Sequence, residues 1–190
     1  MSKTIIIDNY DSFTYNLVQI VNEIQGEEVA VKRNDETTIE EVATFDHIIL
    51  SPGPGLPDEA GLLKSIIEKL GSTHKIFGVC LGLQAIGEVY GAKLKNLDRV
   101  FHGIQSEFTI ADEKSIIFDG IGDTFEAGRY HSWVVDKETI SDDLRVTATG
   151  EYGEIMAAEH KTHKVYGVQF HPESIMTPKG SKMIENFLKV

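Results

Sequence analysis

Gly78-Val79-Cys80-Leu81-Gly82 joins an apolar run at 75–79 to a segment in which Leu83, Ile86 and Val89 recur at helical spacing. The run predicts a strand and the spacing predicts a helix, so Cys80 should lie at a sharp strand-to-helix turn. The two flanking glycines give the spacing of the G-x-S-x-G turn, with sulfur in place of oxygen. Glycine at both places lets such a turn expose the central side chain above a sheet.

The chain before this turn alternates strand and helix patterns. Strand patterns cover 3–8, 28–32 and 46–50, and helical patterns cover 13–24 and 62–70. Asp11 or Ser12 is expected to cap the first helix, and Gly71 to end the second. This alternation predicts a doubly wound sheet in which Cys80 and the loop Ser51-Pro52-Gly53-Pro54-Gly55 both follow the carboxyl ends of strands, where such sheets bind ligands.

After Gly91 the pattern changes to closely spaced strand candidates, at 105–110, 124–129, 133–136, 144–148, 155–159 and 164–170. A short amphipathic helix at 183–188 closes the chain. The whole predicts an α/β fold with a mixed, largely parallel central sheet flanked by helices. A length of 190 residues favours a single domain over 1–190.

Composition and charge exclude several functional classes. The net charge is −12, which repels nucleic acid and anionic lipid surfaces, so no nucleic-acid or membrane partner is expected. The longest aliphatic runs are far shorter than a membrane span, and the start Met-Ser-Lys-Thr lacks the pattern of a signal peptide. A single cysteine rules out an internal disulfide and a multi-cysteine metal site, which favours a reducing, cytoplasmic setting.

A cysteine nucleophile needs a base and a group that orients the base. Gln169-Phe170-His171-Pro172-Glu173 ends the last strand candidate, and Pro172 disfavours a helix at His171. In an extended segment His171 and Glu173 would face the same way, so Glu173 could accept one imidazole N–H while the other nitrogen faces Cys80. The helix after Cys80 would direct its free N–H groups at the sulfur and favour the thiolate.

Attack on a carbonyl also needs donors for the developing oxyanion. The turn offers the N–H of Leu81, and the Pro-Gly loop offers Gly53 and Gly55, where the backbone can approach a ligand closely. Each feature alone has a purely structural interpretation: a cysteine packed as a small hydrophobe, a solvated His-Pro-Glu turn, and a loop rich in turn residues. Their coincidence in one chain favours an active site.

These residues match a known family. The chain resembles class I glutamine amidotransferases with a Cys-His-Glu triad and a flavodoxin-like fold, most closely the subunits that serve anthranilate synthase and aminodeoxychorismate synthase. The matching stretches are Asp8 to Thr14, Ser51 to Gly55, Gly78 to Gln84, Tyr130-His131-Ser132 and Gly167 to Ser174. Asn9-Tyr10-Asp11-Ser12-Phe13-Thr14 is the part that resembles the chorismate-linked group.

The resemblance implies a reaction and a set of site residues. Cys80 would attack the side-chain amide of L-glutamine, His171 would protonate the departing ammonia, and Glu173 would hold His171 in place. Oxyanion and glutamine contacts are implied for Gly53, Pro54, Gly55, Leu81, Gln84, Ser132 and Trp133.

The resemblance also implies a partner. Such subunits dock on a larger chorismate-using synthase that consumes the ammonia, with Asn9, Tyr10, Asp11 and Ser12 near the interface. The magnesium ion that acts with chorismate belongs to the partner, so no cofactor or metal is expected in this subunit.

Three positions depart from the family pattern. Leu83 stands where close relatives usually have histidine, so catalysis by that side chain is not expected. Trp133 replaces a usual leucine, but its expected glutamine contact is through the backbone. Ile104 replaces a usual lysine, so a charged contact of that loop with the partner is not expected at this position.

Two other functional classes remain open from the residues. A non-enzymatic receiver-like switch would use strand-end carboxylates such as Asp8 and Asp11, but Ser51 stands where its acceptor carboxylate should be. An autonomous cysteine amidase or hydrolase would use the same triad and be fully active without a partner. The residues do not choose between the anthranilate and aminodeoxychorismate pathways, because the partner's active site makes that choice.

Overall fold

The computed structural model describes residues 2–190. Its strands are β1 (Thr4–Asp8), β2 (Ala30–Arg33), β3 (His47–Leu50), β4 (Lys75–Val79), β5 (Leu94–Asn96), β6 (Ile104–Ile110), β7 (Thr124–Arg129), β8 (Trp133–Val135), β9 (Leu144–Thr149), β10 (Ile155–His160) and β11 (Val165–Val168). Its α-helices are α1 (Thr14–Gln25), α2 (Ile39–Val42), α3 (Leu63–Leu70), α4 (Leu81–Val89) and α5 (Gly180–Leu188).

The central sheet has nine strands in the order β2-β1-β3-β4-β11-β10-β9-β6-β7. The pairs from β2 to β11 are parallel, and those from β11 to β7 are antiparallel. This architecture confirms the mixed α/β fold that the strand and helix patterns predict. The parallel half places the ends of β1, β3, β4 and β11 on one edge of the sheet.

Alternate side chains of β1 face two separate hydrophobic layers. Ile6 packs in one cluster with Leu17 of α1. Ile5 and Ile7 pack in the opposite cluster with Ile66 of α3. Because both faces of the parallel strands are covered by helices, the buried strands are continuous apolar runs rather than alternating ones.

Two short elements are absent from the sequence-based expectation. Helix α2 spans four residues, and β5 pairs with β8 in a separate two-stranded sheet. The candidate strand at 133–136 is therefore real but lies outside the central sheet. Elements of three or four residues contain too few periods for a hydrophobic pattern to identify.

The structure corrects the predicted cap of α1 and confirms the predicted end of α3. Phe13 occupies the N-cap position of α1, and Asp11 lies outside it, where its Oδ2 accepts the N–H of Phe13 at 2.8 Å. Gly71 does end α3, but its φ of −58° is not left-handed. A Cβ on Gly71 would lie 2.5 Å from the hydroxyl oxygen of Tyr90, so packing rather than turn geometry requires glycine there.

Within residues 2–190, none of the helices combines the length and the apolar character needed to cross a bilayer.

Candidate active site

Cys80 occupies a strained turn between β4 and α4. Its φ is 53° and its ψ is −98°, a conformation that costs an L-residue on the order of 1–3 kcal/mol. A Cβ on Gly78 would lie 2.6 Å from the carbonyl carbon of Gly82, and a Cβ on Gly82 would lie 3.0 Å from the oxygen of Leu50. Both glycines are therefore needed so that α4 can start this close to β3 and β4.

Strand β11 brings His171 to the same edge of the sheet as Cys80. Val168 is paired with Val79 in the parallel ladder, and the N–H of Cys80 donates to the Val168 carbonyl at 2.7 Å. The N–H of His171 donates to the Gly128 carbonyl at 3.0 Å, which anchors the segment after β11 to β7. Two residues that are far apart in sequence thus lie at one site.

His171 and Glu173 form the expected pair, but not in an extended segment. The Nδ1–H of His171 donates to Oε1 of Glu173 at 2.6 Å, and both side chains are buried. The N–H of Ser174 donates to the carbonyl of His171 at 3.1 Å, so these residues form a turn. The predicted pairing is present and His171 itself forms a β-bridge with Gly128, but the chain turns at 172–173, so a turn and not a continuous extended segment brings Glu173 to His171.

Burial and neighbouring charge act in opposite directions on His171. Burial favours neutral imidazole, but attraction to Cys80 together with the hydrogen bond and charge of Glu173 outweighs it and raises the pKa of His171 to about 10. Nε2 is buried and has no aligned hydrogen-bond partner among the described residues. Because Glu173 occupies Nδ1, Nε2 is the atom that can exchange a proton with the sulfur or with a reacting group.

Two aromatic rings fix the orientation of the imidazole. The ring centroids of Phe13 and His171 are 5.3 Å apart in an edge-to-face arrangement, and those of Tyr130 and His171 are 4.8 Å apart. The hydroxyl of Tyr130 is 3.2 Å from Oγ of Ser174, which belongs to the turn from His171 to Ser174 (the catalytic turn). Phe13 belongs to the Asn9–Thr14 motif, so that motif contributes directly to the packing of the His171 imidazole.

A cavity of about 320 Å³ opens beside Cys80. Of the predicted site residues, it is lined by Gly53, Pro54, Gly55, Cys80, Gln84, Ser132 and Trp133. This volume is at the small end of ligand pockets, which suits a ligand the size of an amino acid. His171 and Glu173 are not part of this lining.

The oxyanion donors expected from the sequence lie together. Leu81 is the first residue of α4, where a backbone N–H has no intrahelical acceptor. A Cβ on Gly53 would lie 2.9 Å from Cδ2 of Leu81 and 2.6 Å from Cβ of Asn9. The Pro-Gly loop therefore packs directly on the start of α4, and only glycine fits at the contact.

Asn9 has a different role from the expected one. It is buried, its N–H donates to Oγ of Ser51 at 2.9 Å, and its side-chain amide donates to the Ser51 carbonyl at 2.7 Å. Asn9 thus fixes the Pro-Gly loop and is not available to touch a partner. Of the other proposed interface residues, Tyr10 and Ser12 are exposed and Asp11 is half-buried.

Gln84 and Trp133 contact each other in the cavity wall. Nε2 of Gln84 donates to the Trp133 carbonyl at 3.0 Å, and Nδ1 of His131 donates to the same oxygen at 3.0 Å. Both lone pairs of that carbonyl are therefore used within the protein. The expected backbone contact from Trp133 to a ligand would therefore come from its N–H.

His131 is a site residue that sequence reasoning did not single out. Its Nε2 accepts from Nε of Arg129 at 3.2 Å, and Arg129 pairs with Glu154 at 3.0 Å. Burial and the Arg129 charge lower the pKa of His131 to about 3, so it is neutral. The only signal in the sequence is its place in the Tyr130-His131-Ser132 stretch.

Leu83 and Ile104, two of the departures from the family pattern, are buried or partly buried against neighbouring strands. Leu83 is fully buried, and a Cβ on Gly167 would lie 2.7 Å from its Cδ1, so it fills the core against β11. Ile104 begins β6 opposite Arg129 and is partly buried.

Comparison with known proteins gives consistent matches. A family model described as glutamine amidotransferase class-I matches residues 5–190. Aminodeoxychorismate/anthranilate synthase component 2 of Bacillus subtilis is 46% identical over 187 residues, which cover 97% of this chain and 95% of that protein. Bifunctional protein TrpGD of Thermotoga maritima is 43% identical over 193 residues; the match covers 100% of this chain and 32% of the relative, so the chain spans about a third of it.

A solved structure supports the fold. The crystal structure of a protein from Thermoplasma acidophilum, described as one subunit of a GMP synthase, superposes with a TM-score of 0.88 at 24% identity. The superposition covers 100% of this chain and 93% of that one.

Proposed function

This chain belongs to the class-I glutamine amidotransferase family, and from that membership we propose that it is the glutaminase subunit of a chorismate-using synthase. It hydrolyses L-glutamine to glutamate and ammonia and passes the ammonia to the synthase subunit. The observation that carries this proposal is the strained turn at Cys80 beside the His171–Glu173 pair, whose bonded atoms are 2.6 Å apart. The cavity in front of the sulfur has the size for one amino acid.

The first half of the reaction makes a thioester. The sulfur of Cys80 attacks the side-chain amide carbon of glutamine, a C–S bond forms, and the carbonyl π electrons move to oxygen. The N–H groups of Leu81 and Gly53 stabilise that oxyanion. The tetrahedral intermediate then collapses, the C–N bond breaks, and ammonia leaves with the proton that His171 donates from Nε2.

The second half returns the enzyme to its starting state. Nε2 of His171 accepts a proton from water as the water oxygen attacks the thioester carbon. The C–S bond then breaks, glutamate is released, and the sulfur regains its starting protonation from His171. Glu173 stabilises the imidazolium in both halves and fixes Nδ1 as the protonated nitrogen.

We place the docking surface for the synthase on exposed residues of the 9–14 motif and of the segment that follows Glu173. Tyr10 is 49% exposed and Ile175 is 96% exposed. The two segments meet at the active site, because Phe13 lies 5.0 Å from Tyr130, whose hydroxyl contacts Ser174. A partner seated on Tyr10, Ser12 and Ile175 would enclose the ammonia and could align the catalytic turn.

The product and the compartment are part of the same proposal. The synthase forms anthranilate, aminodeoxychorismate or both; the Bacillus subtilis relative carries both activities in its name.

A free thiol nucleophile requires a reducing compartment, which favours the cytoplasm. The magnesium ion used with chorismate is assigned to the synthase partner, and no cofactor is assigned to this chain.

The test mixes this chain with the anthranilate-forming subunit of its own organism, chorismate and magnesium, and follows anthranilate fluorescence. With glutamine as nitrogen source, product should form with the wild-type chain and vanish with Cys80→Ala. Product from added ammonium should be unaffected by that substitution. Glutamine-driven product with Cys80→Ala would overturn the mechanism.

Two other outcomes address the partner. Failure with glutamine but success with ammonium would favour the aminodeoxychorismate-forming subunit, which is then tested in the same way. Full glutaminase activity without any synthase subunit would instead support the autonomous hydrolase.

A further inference from the structure

Gln169 is a fully buried polar residue that the mechanism above does not use. It directly follows β11, and its backbone N–H donates to the Met156 carbonyl at 2.8 Å. Its side-chain Nε2 lies 3.4 Å from Sγ of Cys80. A buried amide next to a nucleophilic sulfur can stabilise either form of the sulfur, and the outcome depends on which way the amide points.

The hydrogen-bond network determines that orientation. The Trp133 carbonyl can only accept, so the group of Gln84 that faces it at 3.0 Å must be Nε2. The same Nε2 lies 3.3 Å from the Gln169 side chain, whose facing atom must therefore be the acceptor Oε1. With Oε1 used in this way, the NH₂ group of Gln169 is left to face the sulfur of Cys80.

The other end of this network, at His131 and Arg129, is also fixed in its hydrogen-bond direction. The Trp133 carbonyl also accepts from Nδ1 of His131, whose Nε2 accepts from Arg129. Arg129 is itself paired with Glu154. Because the arginine side chain has no acceptor atom, this end cannot reverse its direction, and the carbonyl stays in place to orient Gln84.

We propose that Gln169 holds the Cys80 thiolate by donating its side-chain N–H to the sulfur, and that Gln84 and the Trp133 carbonyl keep the amide in the donating orientation. Hydrogen bonds to a charged acceptor are stronger than those to a neutral one, so this contact favours the thiolate over the thiol. It also fixes the sulfur at the cavity wall, from which it attacks. The catalytic consequence rests on the proposed function, but the effect on the sulfur itself does not.

The test measures the sulfur without glutamine or a synthase. The rate of Cys80 alkylation by iodoacetamide is followed against pH in the wild-type chain and in Gln169→Met, which keeps the length but lacks the donor. We expect the alkylation rate at neutral pH to fall about tenfold, and the half-maximal pH to rise, as loss of a hydrogen bond to a charged group requires.

Two further variants keep the result interpretable. Gln169→Glu keeps the side-chain length, lacks an N–H when ionised and adds like charge beside the sulfur, so it should shift the curve in the same direction if Gln169→Met does not fold. Asn186→Leu is the matched control, because Asn186 is a buried amide of α5 that donates to the carbonyls of Ile117 and Asp119. It should lower stability and leave the alkylation curve unchanged.

The outcomes separate this inference from the proposed function. A folded Gln169→Met or Gln169→Glu with the wild-type alkylation curve would overturn the role of Gln169. A shifted curve in a chain that does not hydrolyse glutamine would support Gln169 and reject the glutaminase. If both proposals hold, Gln169→Met lowers kcat for glutamine while KM stays within about twofold, because the amide contacts the nucleophile and not the substrate.

Discussion

Val79 is paired with Val168 across the parallel ladder of β4 and β11, and the proposed nucleophile and base lie just beyond that pair. Cys80 follows β4 directly, and His171 follows β11 after two residues. The β4–β11 pairing therefore sets the position of the nucleophile relative to its base. A shift in this register would move His171 away from the sulfur even if every site residue were present.

Glu173→Gln should lower kcat for glutamine at least about a hundredfold, since a neutral amide stabilises imidazolium poorly and can favour the wrong imidazole tautomer. KM should change little, because Glu173 does not line the cavity. Steady-state glutaminase kinetics in the presence of the synthase measure both constants. Glu185→Gln is the control, since Glu185 pairs only with Lys182 and Lys189 among the described residues and should leave kcat unchanged. A Glu173→Gln enzyme of near-normal kcat would remove Glu173 from the mechanism.

His171 should make stability depend on pH in the alkaline range. Its pKa rises from an ordinary 6.5 to about 10 in the folded chain, so the folded state binds a proton that the unfolded state releases between these values. The resulting stabilisation is complete below the unfolded pKa and is lost as pH rises through the folded one. Urea unfolding of wild type and His171→Asn at about pH 6 and about pH 9 measures it.

The expected result is that wild type loses more of its free energy of unfolding on going to the higher pH than His171→Asn does. Equal losses in the two proteins would show that His171 is not protonated in the folded chain. The same variant should lose at least about a hundredfold in glutamine hydrolysis, which would identify His171 as the base independently of stability.

Gly180→Ala should disturb the contact between the start of α5 and the catalytic turn at Pro172. A Cβ on Gly180 would lie 1.7 Å from the carbonyl oxygen of Pro172, so α5 and the turn cannot keep their contact. We expect a loss of about 1–3 kcal/mol in unfolding free energy, together with a fall in kcat. Gly26→Ala is the contrast: Gly26 has a φ of +73°, and a Cβ there would meet no atom of residues 2–190 within 4 Å. It should cost about 1–2 kcal/mol, the penalty of a left-handed conformation for an L-residue, and spare kcat.

Ile175→Glu should separate partner binding from chemistry. Ile175 is almost fully exposed beside the catalytic turn, so a charge there should weaken glutamine-driven synthesis when the synthase is limiting. Ammonium-driven synthesis and the thermal midpoint of the isolated chain should not change. Ile116→Glu is a control at another exposed isoleucine, which belongs to the helical turn Ile116–Phe118 and not to the segment after Glu173. Equal effects of both substitutions on synthase affinity would argue against the proposed docking surface.

Much of the site was predictable because its chemistry is local in sequence. The Gly78–Gly82 turn and the His171-Pro172-Glu173 segment each contain the residues that they bring together. Long apolar strands and amphipathic helices were likewise predictable from their periodicity. The cap of α1 was not predictable in this way, because two carboxylates share the N–H groups that precede the helix. Oδ1 of Asp8 accepts the N–H of Tyr10 at 3.0 Å, and Oδ2 of Asp11 accepts the N–H of Phe13.

The sequence by itself therefore determined the fold class and singled out the proposed nucleophile Cys80, its proposed base His171 and the carboxylate Glu173, since these depend on short patterns and on parallel strands sharing one edge. Only the tertiary structure decided the roles of Asn9, His131 and Gln169. His131 bonds Arg129 of β7 and Trp133 of β8, two positions to either side, at a place where the chain passes from one sheet to the other. Asn9 and Gln169 act through side-chain contacts with residues at least 25 positions away, as in the bond from Gln169 to Cys80 with a separation of 89 residues. Contacts of that length are set by the register and packing of the folded sheet, which no local pattern records.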